Sequence, residues 1–587
     1  MNSYQRFSGC RHGRAVHVTG IRGLEFVRHR IVRRHLPRAE LLHFGWPRRI
    51  SFPALAFVPL TLNRSDFKES KKPLLLLKEF GILPSMKSQG SFKILSLFFG
   101  ILFCAGALAQ NPVSLPPSTP EKEGVSSAAI LSFIERLEKD IDAVHSFMIL
   151  RHGKRIAQGW WAPFDERTPH LMHSLSKSFT STAVGLAIEE GQLSLDDPVI
   201  SFFPDETPAN PSWQLKAMRI RDLITMTTGH RKEPLLFNAE SHWVRTFLHS
   251  EIEFKPGTHF QYNSAATYML SAIMQSVTGE MVVDYLDKRL FQPLGIKKPD
   301  WDRSPDGINT GGWGLRITTE DIAKLGQLYL QKGMWQGKRI LSEAWVQEAT
   351  SKQTSNGSNP DNDWDQGYGF QFWRCRNNCY RGDGAFGQFC IVIPEHDAVV
   401  AITSGTNDMG GVMEAVWETL LPSMAPKPIE PDTTTFRSLA AKLDDLSLPL
   451  VEGESQSPVS EKLAQRKFQV FDNEVGVNSV SFDLHGKDHR ITIEMDHGME
   501  TLNLGSDNYT TSKLNDHLPY TQNMRSRIGA SGAWVEPNEY QAKIYLTETP
   551  ASILYTFRFE NNRMNWTSQL RHSLFGPRKL EILKGEF

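Results

Sequence analysis

The chain has 587 residues, with 65 basic and 65 acidic side chains and a hydrophobic fraction of 40%. This length exceeds what one hydrophobic core usually organises, so we expect two or more domains. The balanced charge gives no overall basic excess of the kind that marks nucleic-acid binders, and the sequence therefore predicts no nucleic-acid partner.

Residues 1–85 form a basic leader. Residues 1–50 contain eleven Arg against two Glu, without apolar periodicity. We interpret the leader either as an over-extended reading frame, with the true start at Met86, or as a disordered basic arm.

Residues 86–109 have the pattern of a secretory signal peptide. Two Lys residues precede the uncharged apolar run 94–108, and Ala107-Leu108-Ala109 forms a small-residue cleavage site. The run is shorter than the ~20 residues of a membrane-spanning helix, so we expect export with no membrane span after signal removal. A retained anchor is the alternative. The predicted location is secreted or periplasmic.

Helix and strand patterns mix between residues 110 and 425. After a Pro-rich stretch at 112–120, periodic apolar residues predict helices interspersed with short apolar strands. Helices beside an antiparallel sheet form an α/β sandwich, which is the fold class that we predict here. The predicted strands include 146–151 and 398–403, and the predicted helices include 127–137, 268–277 and 320–331.

Ser174-Leu-Ser-Lys177 is the strongest chemical signal in this region. It stands at the start of a predicted helix that continues through an apolar run and stops at Gly191. Residues three apart share one face of a helix, so the Ser174 hydroxyl and the Lys177 amine are expected to meet. An amine can take the proton of a serine nucleophile, and the first helical turn offers unpaired N–H groups to an oxyanion. The pattern is typical of Ser-Lys acyl-transfer enzymes.

Tyr262-Asn-Ser264 precedes a second apolar helix and supplies a phenol. A tyrosine with an ordinary pKa of about 10 is neutral at pH 7, but an ammonium at Lys177 would favour the phenolate. We therefore expect Tyr262 to accept the Ser174 proton and to return it to the leaving group. Ser264 is expected to hold Lys177 by a hydrogen bond. The alternatives are a core tyrosine and a plain turn serine.

The Gly-rich stretch Gly382-Asp-Gly-Ala-Phe-Gly-Gln388 leads into an apolar strand. Glycines at the start of a strand let the backbone approach a ligand closely, and this is the supporting role that we assign to Gly384. The N–H of Ala385 is then the candidate that joins the N–H of Ser174 in an oxyanion hole. A phosphate loop is not predicted, because a strand rather than a helix follows and the Lys-Ser/Thr pair is missing.

Three cysteines follow the predicted signal peptide. Cys375-Arg-Asn-Asn-Cys379 places two thiols across a tight turn, and an oxidising compartment would join them, so we predict a disulfide. Cys390 lies in an apolar strand and is expected to be a buried thiol. Neither the cysteines nor the histidines have metal-ligand spacing, and the sequence predicts no metal and no cofactor.

The C-terminal part of the chain has a different pattern. Residues 426–466 are rich in Pro and charge and are interpreted as a linker. In residues 467–587, apolar and polar residues alternate between turn signals, which predicts an antiparallel all-β domain, either a small barrel or a sandwich. The alternating apolar positions are Val480, Phe482, Leu484, Ile491, Ile493, Met495, Ile553, Tyr555, Phe557 and Phe559.

The order of these motifs resembles that of the β-lactamase-related serine hydrolases. This family includes class C β-lactamases, D-alanyl-D-alanine carboxypeptidases, short-chain esterases and 6-aminohexanoate-dimer hydrolase. The resemblance extends over about residues 120–424. It includes the stretches around each motif, which are His173–Ser181, Glu190–Pro198, Ile220–Gly229, Gly311–Thr319 and Asp321–Gly326.

The resemblance implies the fold of β-lactamases and penicillin-binding proteins, and it assigns roles by position. Ser174 corresponds to the acylated nucleophile and Lys177 to its proton partner. Tyr262 corresponds to the general base and acid. The backbone amides of Ser174 and Ala385 correspond to the oxyanion hole.

Two departures from class C β-lactamases bear on the substrate. Ser264 stands where they have Asn, and Arg381-Gly-Asp383 stands where they have Lys-Thr-Gly. Both departures are closer to the 6-aminohexanoate-dimer hydrolase branch, so the resemblance implies cleavage of a small ester, linear amide or peptide-like substrate. The alternatives are a β-lactamase or D-alanyl-D-alanine carboxypeptidase, and a non-catalytic protein that binds or senses peptidoglycan.

Overall fold

The computed structural model describes residues 115–236, 240, 242–464, 466–515, 527–574, 578–579 and 583–587. The leader at 1–85, the signal peptide at 86–109 and residues 110–114 of the predicted hydrolase region lie outside the described residues. Among the helices that are described, none is both long enough and apolar enough to cross a bilayer.

An antiparallel sheet forms the centre of the hydrolase region. The strands of this region are β1 (Val144–Arg151), β2 (Lys154–Trp160), β3 (His170–Leu171), β4 (Asp300–Trp301), β5 (Leu315–Ile317), β6 (Met334–Trp335), β7 (Lys338–Arg339), β8 (Trp373–Arg374), β9 (Tyr380–Gly384), β10 (Gln388–Ile393) and β11 (Ala398–Ser404). Within the described residues, the central sheet has six strands in the order β2-β1-β11-β10-β9-β8. A smaller sheet has the order β3-β5-β4, and β6 pairs with β7. The strands predicted at 146–151 and 398–403 correspond to β1 and β11.

Helices cover both faces of the central sheet. The helices of the described chain are α1 (Ser127–Asp140), α2 (Ser176–Glu189), α3 (Trp213–Ala217), α4 (Ile220–Ile224), α5 (Trp243–Leu248), α6 (Ser264–Thr278), α7 (Val282–Leu286), α8 (Gln292–Leu294), α9 (Thr319–Leu330), α10 (Glu343–Thr350), α11 (Met409–Ala415), α12 (Thr433–Asp444) and α13 (Ser460–Leu463), of which α13 packs against the C-terminal strands instead. Short 3-10 turns lie at Glu121–Glu123, His173–Leu175, Val199–Phe202, Pro394–His396 and Leu421–Ser423, and π-helical turns at Asp287–Phe291 and Val416–Leu420. The helices predicted at 127–137, 268–277 and 320–331 correspond to α1, α6 and α9.

Alternate residues of β10 face two separate hydrophobic cores. Cys390 and Val392 pack in the core that contains side chains of α2 and α9. Phe389 and Ile391 pack in the core that contains side chains of α1 and α11. A strand that is buried on both faces requires helices on both sides of the sheet. The predicted α/β sandwich is therefore confirmed.

The segment 426–466, which the sequence indicates as a linker, lies against the hydrolase region. Its helix α12 places Leu439 in the same core as α1. Farther along, the Leu446 carbonyl accepts a hydrogen bond from the Ala162 N–H at 2.9 Å, and the Leu448 N–H donates to the Ala162 carbonyl at 3.0 Å. The segment thus contributes apolar side chains and backbone hydrogen bonds to the domain that precedes it.

The C-terminal domain is a closed β-barrel. Its strands are β12 (Lys467–Val470), β13 (Val477–Asp483), β14 (Asp488–Met495), β15 (Gly498–Gly505), β16 (Thr510–Lys513), β17 (Arg527–Glu536), β18 (Glu539–Leu546), β19 (Ser552–Glu560), β20 (Arg563–Arg571), β21 (Arg578–Lys579) and β22 (Leu583–Glu586). In the part of the chain that the structure describes, nine of them form a ring in the order β15-β14-β13-β12-β22-β20-β19-β18-β17. The ring closes where Gly505 of β15 pairs with Ser531 of β17. The sequence predicted either a small barrel or a sandwich, and the structure shows the barrel.

The interior of the barrel is filled by the alternating apolar residues that predicted its strands. Ile491, Ile493 and Met495 of β14 are buried, as are Tyr555 and Phe557 of β19. Side chains alternate across a strand, so one face of each strand lines the inside of a closed barrel. The period-two pattern is therefore confirmed residue by residue.

The barrel packs directly on the hydrolase region. The Tyr545 ring of β18 belongs to the hydrophobic core around α1 and lies with its centroid 5.9 Å from that of Phe164. The Leu171 N–H of β3 donates a hydrogen bond of 2.9 Å to the Glu548 carbonyl, in the turn that follows β18. Contacts therefore join the barrel to the strand that immediately precedes the Ser-x-x-Lys motif.

Candidate active site

Ser174 lies in the tight turn His173–Leu175, which continues directly into α2. The turn is held by Ser176, whose hydroxyl donates to the His173 carbonyl at 2.7 Å and accepts from the Leu315 N–H at 3.2 Å. Ser174 itself is partly exposed, whereas its neighbours on both sides are buried. The local fold thus presents one hydroxyl to solvent on a firmly held turn.

Lys177 lies one turn farther along and points its amine at Ser174. The Lys177 Nζ is 3.0 Å from Ser174 Oγ, 3.1 Å from Ser264 Oγ and 2.7 Å from the Gly312 carbonyl oxygen. The side chain is only 1% exposed. Burial disfavours the ammonium and lowers the pKa of Lys177 to about 8, although the carboxylates of Glu233 and Asp383 act in the opposite direction.

Tyr262 completes a cluster with Ser174 and Lys177. Its hydroxyl is hydrogen-bonded to Ser174, and its ring centroid lies 4.9 Å from Lys177 Nζ. The ring also stacks on Trp373 with a centroid distance of 5.3 Å and an interplanar angle of 20°. Burial, together with the nearby Asp383 carboxylate, raises the pKa of Tyr262 above its ordinary value. This direction is opposite to the shift that the sequence led us to expect, because the loss of hydration outweighs the attraction of a neighbouring amine.

Ser264 is the first residue of α6. The N-terminal end of this helix is bound by the Glu233 carboxylate, which the sequence had not indicated. The Asn263 side chain accepts from the Ala266 N–H at 3.1 Å, as an N-terminal cap does. The Glu233 carboxylate accepts from the Ser264 N–H at 2.7 Å and from the Ala265 N–H at 3.1 Å. No spacing pattern links Glu233 to the Tyr262 motif, because the loop that carries it is brought to α6 only by the fold.

The Gly-rich strand lies directly on the nucleophile turn. A Cβ atom on Gly384 would overlap the Met172 carbonyl, and one on Gly382 would meet the side chains of Leu175 and Ser178. Only glycine permits such an approach of two backbones. Gly384 is followed by Ala385, which is buried at the turn between β9 and β10. The close approach of Gly384 to Met172 and Leu175 places the residue before Ala385 against the nucleophile turn.

Arg381 does not present its charge to the cleft. Its side chain is fully buried, with Nε donating to Asp383 Oδ2 at 2.9 Å and Nη1 donating to the Asp363 carbonyl at 3.0 Å. The Trp364 Nε1–H also donates to Asp383 Oδ2, at 3.1 Å. Because the guanidinium is enclosed and paired, it is not available to bind a substrate carboxylate.

The predicted disulfide is absent, and both thiols are free and buried. The Cys375 sulfur accepts a hydrogen bond from Arg381 Nη1 at 3.1 Å, and the Cys379 thiol lies 3.2 Å from the Asn377 carbonyl, to which it donates. Each thiol is thus engaged by a different neighbour rather than by the other. Cys390 is a buried thiol, as expected.

Parts of this chain are similar to known proteins. A sequence model of the β-lactamase family matches residues 134–420. The 6-aminohexanoate-dimer hydrolase of Paenarthrobacter ureafaciens is 26% identical over 50% of this chain and 81% of its own length. Among solved structures, a family VIII carboxylesterase aligns at 15% identity with a TM-score of 0.41, over 52% of this chain and 99% of that one. A penicillin-binding protein homologue from Pyrococcus abyssi, described as octameric, aligns at 15% identity with a TM-score of 0.40, over 78% and 99%.

Proposed function

The chain belongs to the β-lactamase-related family through residues 134–420, and from this premise we propose that it is a serine hydrolase of carboxylic esters or linear amides. The reaction proceeds through an acyl-enzyme on Ser174. The observation that carries the proposal is the convergence of a partly exposed hydroxyl, a buried amine and a half-buried phenol within hydrogen-bonding reach. A nucleophile beside a base that is itself held by further groups is the arrangement that covalent catalysis requires.

In the proposed first step, Lys177 is the base. Its amine in the neutral form donates two hydrogen bonds, to Ser264 Oγ and to the Gly312 carbonyl, and directs its lone pair at the Ser174 hydroxyl. The Ser174 oxygen attacks the substrate carbonyl carbon while its proton moves to Lys177. The negative charge then forms on the carbonyl oxygen, where the N–H groups of Ser174 and Ala385 stabilise it.

Tyr262 acts in the collapse of this intermediate. Its raised pKa keeps the phenol protonated in the resting enzyme, so it is better suited to donate a proton than to accept one. We assign it the protonation of the leaving alcohol or amine, after which the proton held by Lys177 restores the phenol. Water then attacks the acyl-enzyme in the same sequence and releases the acid, the hydroxyl of Ser174 being regenerated.

Esters and linear amides are favoured over β-lactams because of the charge around the site. Arg381 is buried against Asp383, and Gly382 beside it has no side chain, so the Gly-rich strand presents no cation to a substrate carboxylate. A β-lactamase or D-alanyl-D-alanine carboxypeptidase acts on substrates that carry such a carboxylate. The site as built is better matched to a substrate without that carboxylate.

The proposal is tested by comparing two chromogenic substrates on the full-length protein. We expect turnover of p-nitrophenyl butyrate with an initial burst of one equivalent of product, because acylation precedes hydrolysis of the acyl-enzyme. A chromogenic cephalosporin is expected to be hydrolysed at least about a hundredfold more slowly, judged by kcat/KM. Faster hydrolysis of the cephalosporin would overturn the substrate class. Inertness toward both substrates and toward a fluorophosphonate probe would overturn the assignment as an enzyme and favour a non-catalytic binding protein.

The pH dependence of kcat/KM is a second test, because it reports the protonation of Lys177 in the free enzyme. The pKa of Lys177 is lowered to about 8, so the neutral amine becomes the major form only above that pH. Activity is therefore expected to rise with pH, to level off above about pH 9, and to be about a hundredfold lower at pH 6 than on the plateau. The measurement is kcat/KM for an ester between pH 5.5 and 10.

Glu233→Gln provides the matched comparison for this profile. The Glu233 carboxylate favours the ammonium form of Lys177, so its removal is expected to move the rise toward lower pH. A profile that is flat between pH 6 and 9 in the unmodified protein would contradict the role of Lys177 as the base.

A further inference from the structure

The two candidate oxyanion-hole residues each have a neighbour in an unusual backbone conformation. His173, which precedes Ser174, has a φ angle of 45°, and Phe386, which follows Ala385, has a φ angle of 66°. This left-handed region is unfavourable for residues other than glycine, so the surrounding packing has to hold it. The peptide unit that carries the Ser174 N–H begins at His173, and the residue that carries the Ala385 N–H is bonded directly to Phe386, so each donor lies beside a conformation that packing has to hold.

The side chains of these two residues pack on each other. The rings of His173 and Phe386 meet edge to face, with centroids 5.6 Å apart and an interplanar angle of 70°. Both side chains are buried. Since one residue lies on the nucleophile turn and the other on the β9–β10 turn, this contact fixes the two oxyanion donors relative to each other.

The barrel supplies the third ring of this packing. His572, the residue after β20, lies edge to face against Phe386, with ring centroids 5.9 Å apart and an interplanar angle of 69°. Its side chain is 6% exposed, and Nε2 is 3.9 Å from the Asp142 carboxylate. Phe386 is therefore packed against two histidine rings, one from its own domain and one from the barrel.

A second part of the barrel, the turn between β18 and β19, contacts chain segments close to both turns. The Glu548 carbonyl binds the Leu171 N–H in the strand that leads to Ser174. The Pro550 carbonyl contacts the backbone of Gly405, where a Cβ atom would approach it to 2.5 Å. The next residue, Thr406, donates its N–H to the Phe386 carbonyl at 3.2 Å. Barrel contacts thus converge on the chain segments of both oxyanion donors.

We propose that the C-terminal barrel is a positioning element of the oxyanion hole, and that His572 is its positioning residue, acting through Phe386 on the amide of Ala385. The inference rests on the proposed function. The donors are needed most when charge develops on the carbonyl oxygen, so a loosened Phe386 lowers kcat and leaves KM nearly unchanged. The part of the barrel that carries His572 and Glu548 then acts on the oxyanion hole, and the barrel interior serves only to keep the barrel folded.

The test compares His572→Ala with His572→Phe in the full-length chain. Alanine removes the ring that supports Phe386, and phenylalanine keeps a ring of similar size. We expect His572→Ala to lower kcat for a p-nitrophenyl ester by about tenfold or more, with KM within about twofold, whereas His572→Phe stays within about threefold of the unmodified protein.

A binding measurement separates positioning from general loss of structure. Phenylboronic acid adds to a serine hydroxyl to give a tetrahedral adduct whose oxygen occupies the oxyanion hole, so its affinity is expected to fall in His572→Ala by the same factor as kcat. Ile493→Ala is the control, because Ile493 is a buried residue of the barrel interior. It is expected to lower the melting temperature while leaving kcat and boronate affinity unchanged.

Phe386→Leu provides a second variant in case His572→Ala does not fold. It removes the supported ring from the hydrolase side, leaves the barrel sequence intact, and is expected to lower kcat and boronate affinity together.

Unchanged kcat and boronate affinity in His572→Ala or Phe386→Leu would overturn the inference while the unmodified protein still turns over ester. An equal fall of kcat in Ile493→Ala would also overturn it. Failure of the unmodified protein to turn over ester or bind boronate would instead overturn the proposed function, and the inference with it.

Discussion

Ser174→Ala is expected to abolish ester turnover and covalent labelling by a fluorophosphonate probe. The variant keeps the tight turn and α2 but removes the atom to which the acyl group would be attached. Lys177 and Tyr262 remain in place with no nucleophile between them. Loss of a nucleophilic serine reduces turnover by about 10⁶-fold in well-studied hydrolases, so the acyl-enzyme route is lost. Steady-state rates and probe labelling followed by peptide mass mapping measure both effects.

Ser181→Ala is the matched control for this variant. Ser181 lies farther along α2, and among the described residues its buried hydroxyl has no hydrogen-bond partner. Its removal is therefore expected to leave turnover and labelling close to those of the unmodified protein. Labelling of Ser174→Ala at an undiminished rate would transfer the role of nucleophile to another residue.

The elements that the sequence predicted most accurately are those whose signal lies within one short stretch. The run 127–137 is periodic within itself, and the observed helix extends it to Asp140. The meeting of Ser174 with Lys177 likewise follows from a spacing of three on one helical turn. The barrel strands follow from alternation within eight or nine residues. In each case the residues that form the pattern lie in a single helix or strand, so their spacing alone predicts how they are arranged.

Features that depend on distant parts of the chain were missed or were wrong. Glu233 reaches α6 through a loop whose position is set by the whole domain. The disulfide between Cys375 and Cys379 was predicted from spacing, but Arg381, which engages the Cys375 sulfur, is buried by tertiary packing. The direction of the Tyr262 pKa shift also depends on burial, which a sequence does not state. The contact between His572 and Phe386 joins two domains and has no counterpart in any local pattern.

Lys177→Met is expected to reduce turnover by about 10³-fold or more with every class of ester and amide, because no group then accepts the Ser174 proton. Methionine resembles lysine in length and carries no charge. It also removes the donors that bind Ser264 Oγ and the Gly312 carbonyl. The measurement is kcat/KM for a p-nitrophenyl ester and for an alkyl ester with the same acyl group.

Tyr262→Phe provides the comparison that separates the roles of the amine and the phenol. It keeps the ring stacked on Trp373 and removes only the hydroxyl. If Tyr262 protonates the leaving group, Tyr262→Phe slows the alkyl ester strongly and the p-nitrophenyl ester much less, because p-nitrophenolate departs without a proton. Lys177→Met slows both substrates alike, because both need an activated serine. A larger loss in Tyr262→Phe than in Lys177→Met with the p-nitrophenyl ester would make the phenol the base, as the sequence alone had suggested.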